Sequence, residues 1–70
     1  METIIIKDDF IKLGQALKLA GVVESGVDAK MAILDGCVYV NGEIALQRGK
    51  KLYPGDIVDF EEEKFMILGE

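Results

Sequence analysis

At Gly36 the spacing of apolar residues along this chain changes character. Ahead of it, Phe10, Leu13, Leu17 and Ala20 recur three or four residues apart with Ala16 beside them, and Val27, Met31 and Leu34 follow an i, i+4, i+7 pattern. Both are the spacing of one helix face. Beyond it, Val38-Tyr39-Val40, Glu43-Ile44-Ala45-Leu46, Ile57-Val58-Asp59-Phe60 and Phe65-Met66-Ile67-Leu68 read as short strands. Asn41-Gly42 joins the first two as a two-residue hairpin turn, because both residues tolerate positive φ. Only Thr3-Ile4-Ile5-Ile6, a β-branched run, is strand-like before the helices. The order predicts an α+β fold: a two-helix hairpin packed on a small, mostly antiparallel sheet of four to five short strands.

The punctuation agrees with this order. Asp8 or Asp9 is placed to cap the first helix and Gly21 to end it. Ser25 can cap the second, with Asp28 three residues later returning the hydrogen bond, and Gly36 ends that helix. Pro54-Gly55 marks a further turn, and Glu61-Glu62-Glu63 a solvated turn between the last two strands. The first helix is imperfectly amphipathic, since Ile11 and Leu19 fall on the side of Lys12, Gln15 and Lys18.

Seventy residues make one domain, 1–70. A chain this short buries only about 60% of its unfolded surface, which leaves little material for a deep pocket. No apolar run approaches the ~20 residues of a membrane span, and Met1-Glu2-Thr3 has neither the positive region nor the apolar stretch of a signal peptide. With a single cysteine, Cys37, no internal disulfide can form. A cytoplasmic protein without membrane association is expected. Cys37 is expected to pack as a small hydrophobe.

Catalysis finds little support. There is no histidine, so the commonest general base and neutral metal ligand is missing. Cys37 and Ser25 are the obvious nucleophiles, and neither has a histidine to activate it. The acidic residues form no recognisable metal loop. The expectation is a protein that is not an enzyme, with no catalytic residues, metal or cofactor.

The formal charge of −5 is unevenly spread: residues 10–51 carry a net +2 and residues 52–70 a net −5. Arg48-Gly49-Lys50-Lys51 is the densest positive segment. Arginine can grip a phosphate bidentately and lysine supplies point charge, while Gly49 lets backbone approach a partner. Lys12 and Lys18 stand about two turns apart on the first helix with Gln15 between them, and Lys30 lies early in the second. Free N–H groups at the Ser25-Gly26 helix start attract anions, with Asp28 partly competing. Tyr39 can pack at the core boundary or stack on an unpaired base.

Together these segments resemble the S-four-type RNA-binding domain, also called the αL motif. The match runs from Ile11-Lys12-Leu13-Gly14-Gln15-Ala16-Leu17-Lys18-Leu19-Ala20-Gly21 through Glu24-Ser25-Gly26-Val27-Asp28-Ala29-Lys30 to Gly36-Cys37-Val38-Tyr39-Val40-Asn41-Gly42-Glu43. It closes with Arg48-Gly49-Lys50-Lys51-Leu52 and Gly55-Asp56-Ile57-Val58. The Leu-Gly-Gln, Leu-Lys and Ser-Gly elements look most like the stand-alone bacterial YaaA/YbcJ-like subfamily. The resemblance implies an RNA-binding face made by the two helices and the adjacent hairpin, taking structured RNA, ribosomal or transfer, with the ribosome or a protein partner nearby. On matching positions it implies Lys12, Gln15, Lys18, Ser25, Lys30, Asn41, Arg48, Lys50 and Lys51 as RNA contacts, although Asn41 is already explained by the turn. Two departures stand out: Gln47 precedes Arg48 where related sequences often have paired arginines, and Val27 stands where a second glycine is common. Two other readings remain at this level. A small β-grasp carrier shares the Val40-Asn41-Gly42-Glu43 and Gly55-Asp56 pieces, but needs a terminal Gly-Gly where this sequence reads Leu68-Gly69-Glu70. A protein-interaction module would use the acidic C-terminal segment.

Overall fold

The opening strand does not pair with its sequence neighbours; it crosses the molecule to lie beside the last one. In the computed structural model, which describes residues 1–70, β1 (Glu2–Ile6) pairs in parallel with β7 (Glu63–Gly69), Ile4 opposite Ile67. The remaining pairs in this sheet are antiparallel: β7 with β6 (Ile57–Phe60), β6 with β3 (Val38–Val40), and β3 with β4 (Glu43–Ile44). The five-stranded order is β1-β7-β6-β3-β4. A separate ribbon pairs β2 (Ile11–Lys12) with β5 (Lys51–Leu52). Helices α1 (Leu13–Leu19) and α2 (Gly26–Leu34) come between β2 and β3 and pack on each other. The expected α+β architecture is present.

Strand alternation sorts the sheet into two faces. Ile4, Ile6, Val38, Val40, Val58, Phe65 and Ile67 are buried and form one core with Leu13, Ala16, Leu17, Ala29 and Ile33 of the helices. Leu52 of the ribbon joins them, fully buried. The opposite face carries Ile5, Tyr39, Ile44 and Leu68, all exposed. The hairpin turn forms as read, with φ of 53° at Asn41 and 85° at Gly42. Gly21 and Gly36 end their helices at positive φ, as expected.

Four local expectations are corrected. The first helix does not start at Asp8 or Asp9: Ile11 and Lys12 are extended, and Lys12 occupies the cap position without a side-chain hydrogen bond. The first N–H groups of a helix need outside acceptors. Here the Leu13 N–H donates to the Lys50 carbonyl at 2.8 Å and the Gly14 N–H to the Arg48 carbonyl at 3.0 Å, so a distant loop does the work assigned to an aspartate. Phe10 therefore precedes the helix, its ring 6.2 Å from that of Tyr53.

In α2 the buried face is Ala29 and Ile33, while Val27, Met31 and Leu34 are exposed. The segment is apolar on two sides, so periodicity alone does not choose between them. Small side chains decide: with Ala16 on α1 and Ala29 on α2 buried, two short helices can approach closely. Ser25 Oγ accepts from the Asp28 N–H at 3.2 Å as expected, but no bond returns to the Ser25 N–H, so the capping box is half made.

Cys37 is exposed rather than packed, its Sγ 3.9 Å from the Asp35 carbonyl oxygen. It shares parity with outward-facing Tyr39, while Val38 and Val40 point inward.

Candidate nucleic-acid interface

The seven residues of α1 turn Leu13, Ala16 and Leu17 into the core, which leaves Gln15 and Lys18 on the outer side, with Lys12 just before them. The loop between β4 and β5 is pinned to the start of this helix. Ala45 anchors one end, buried, its N–H bonded to the Val38 carbonyl at 2.9 Å; the Lys50 N–H closes a turn on the Gln47 carbonyl at 3.2 Å. Together with the two loop carbonyls that accept from Leu13 and Gly14, these bonds hold Arg48 against α1.

Gly14 makes this approach possible. A Cβ at that position would stand 2.6 Å from Arg48 Cγ and 3.3 Å from Arg48 Cδ, closer than carbon atoms tolerate. The aliphatic stem of Arg48 thus fills the space a side chain would occupy. The result is a concavity of about 310 Å³ lined by Lys12, Gln15, Lys18 and Arg48, with Gly14, Gly49 and the Gly26 start of α2 supplying backbone. No carboxylate lines it. Lys30, in the second turn of α2, is exposed and does not line the concavity. Ser25 contributes by capping α2. The single ion pair of the molecule, Lys64 with Asp59 at 3.7 Å, lies elsewhere, so none of these cations is neutralised within the fold.

The other three candidates fall in a second depression. Asn41, Lys50 and Lys51 share it with Tyr53 and two carboxylates, Glu43 and Asp56. Asn41 is committed there: its Nδ2 donates to Asp56 Oδ1 at 3.0 Å and its Oδ1 accepts from the Ile57 N–H at 2.9 Å. Asp56 Oδ2 in turn accepts from the Tyr53 N–H at 2.8 Å. This latch fastens the β3–β4 hairpin to the turn before β6. Lys51 Nζ sits 4.6 Å above the centre of the Phe10 ring, a cation–π contact.

The residue that sequence reasoning missed is Gly14. A signal existed, because a glycine inside an amphipathic helix weakens it by about 1 kcal/mol unless packing requires it.

The model of the S4 domain matches residues 4–68. The chain belongs to the S4 domain family. Within it, a Bacillus subtilis protein named "Probable ribosome maturation protein RlbA" is 48% identical over 56 residues, covering 80% of this chain and 79% of the relative. The Escherichia coli "Putative RNA-binding protein YbcJ" is 39% identical over 62 residues, 89% of each chain. The solution structure of YbcJ, described as revealing an αL motif involved in RNA-binding, superimposes with a TM-score of 0.76 at 33% identity over 97% of this chain and 87% of that one. This S4 domain therefore has the αL architecture that the family resemblance implied.

Proposed function

We propose that this chain is a non-enzymatic RNA-binding protein that grips the backbone of a structured RNA, ribosomal RNA in the first instance. The observation that carries the reading is the convergence of Lys12, Gln15, Lys18 and Arg48 on one concavity free of carboxylates. Three cations and an amide scattered in solvent would be unremarkable; gathered around one hollow with no carboxylate they form an anion receptor. Arg48 is the bidentate donor, Lys12 and Lys18 flank it as point charges, and Gln15 offers a neutral amide between them. The N-terminus of α2 adds backbone N–H groups and a partial positive charge on the far wall, offset in part by Asp28.

Kinship to YbcJ supports RNA as the ligand, and kinship to RlbA supports the ribosomal assignment. Contacts of this kind read phosphate position rather than base sequence. Lys30, Lys50 and Lys51 extend the positive field outward from the concavity without lining it.

Each phosphate neutralised releases counterion, so affinity for a ribosomal RNA fragment should fall by more than tenfold between roughly 50 and 200 mM salt. Fluorescence anisotropy titrations at several salt concentrations measure this directly. Salt-independent affinity, or affinity equal in wild type and in a folded Lys12→Ala/Arg48→Ala variant, would refute phosphate gripping at this site.

A further inference from the structure

The outer surface of α1 carries a second hollow that phosphate contacts leave unused. A groove of about 650 Å³ runs between the end of β1 and α1, walled by Phe10, Ile11 and Leu19. Leu19 is 60% exposed, so this apolar surface faces solvent without a partner in the fold. Leaving large aliphatic side chains open in this way costs each of them the stabilisation of burial. These are also the residues, Ile11 and Leu19, that spoil the amphipathicity of the helix.

Two observations say what covers the groove. First, Gln15 and Lys18 line both this groove and the basic concavity, so the two hollows are continuous across one pair of side chains. Second, the groove contains one aromatic ring, that of Phe10, held by Lys51 on its face and Tyr53 at its side. An apolar slot with an aromatic wall, opening from a phosphate receptor, has the chemistry of a nucleobase site: flat π surface against aliphatic and aromatic carbon, with the sugar–phosphate carried across Lys18. Asp8 and Lys7 stand at the rim, where the Asp8 carboxylate can accept from an exocyclic amino group.

We propose that the Phe10–Ile11–Leu19 groove receives a single unpaired nucleobase bearing an exocyclic amino group from the RNA whose backbone lies in the concavity. The inference rests on the RNA-binding reading and adds to it the class of RNA: one with an extruded or bulged nucleotide, since a base within a continuous duplex has no free face to offer. Backbone contacts at Lys12 and Arg48 and the base in the groove then act as two independent grips joined at Gln15 and Lys18.

Two RNA stem-loops separate the grips: one with a fully paired stem, the other identical but with one unpaired adenosine bulged from the stem. Anisotropy titrations of wild-type protein should show the bulged stem-loop bound about tenfold more tightly, within the range of base stacking on protein side chains. Leu19→Ser, at an exposed position, should erase that preference while leaving affinity for the paired stem-loop unchanged. Lys12→Ala should weaken both RNAs and keep the preference. Equal wild-type affinity for the two stem-loops would overturn the base site while leaving phosphate gripping intact, and would leave the groove to a protein partner. Failure to bind either stem-loop would remove the RNA reading and the base site with it.

Discussion

Two patches of this small domain collect cationic side chains, three in one and two in the other, and are built in opposite ways. Around α1, Lys12, Lys18 and Arg48 meet from two chain segments far apart in sequence, without a carboxylate among them. Across the β3–β4 hairpin, Lys50 and Lys51 are adjacent in sequence and share their depression with Glu43 and Asp56. The densest run of charge is therefore not the strongest anion site. What raises a patch to a receptor is convergence in a hollow without compensating charge, and in this chain that depends on Gly14 letting Arg48 lie across the helix.

The contrast can be tested most severely at its centre. Lys12→Ala combined with Arg48→Ala should lower RNA affinity by about 100-fold, ~2.7 kcal/mol, and flatten the salt dependence by roughly one to two units of slope. A loss no larger than that from removing Lys50 and Lys51 would erase the distinction. Gly14→Val comes next: its branches meet Arg48 and the loop carbonyl behind it, which should cost about 2 kcal/mol in a thermal or urea melt. The smaller Gly14→Ala should displace chiefly the Arg48 stem, keeping the fold while weakening RNA. Asn41→Ala breaks the latch on the other side. With two side-chain hydrogen bonds lost, a stability decrease of about 1–2 kcal/mol is expected, with RNA affinity of the folded variant within about twofold of wild type. A large affinity loss with little destabilisation would instead make Asn41 a contact residue. The smallest effect is assigned to Lys50→Ala with Lys51→Ala, about threefold in affinity at physiological salt, because exposed charges beside carboxylates act through a screened field.

Much of the architecture was legible beforehand, for identifiable reasons. Asn41-Gly42, Gly21, Gly36 and the Ser25 cap all make local demands on φ or on a neighbouring N–H, and each is met as read. Lys12, Gln15 and Lys18 could be grouped because they lie on or next to one helix. The start of α1 could not be read, since its acceptors come from residues 48 and 50. The face buried by α2 was equally hidden, because Val27, Met31 and Leu34 satisfy the helical period as well as Ala29 and Ile33 do. Cys37 was misplaced because its side depends on strand parity counted from Val38, which a boundary residue does not reveal.

The amino-acid order alone determined the class of fold, the turns, the Ser25 cap of α2 and the uneven distribution of charge, which arise from composition and from residues a few positions apart. The tertiary structure decided which cations share a hollow, which are accompanied by carboxylates, and which apolar side chains stay open to solvent. Those outcomes depend on contacts such as Gly14 with Arg48 and Asn41 with Asp56. Such contacts join segments whose relative placement follows from packing one shared core and is written in no local pattern.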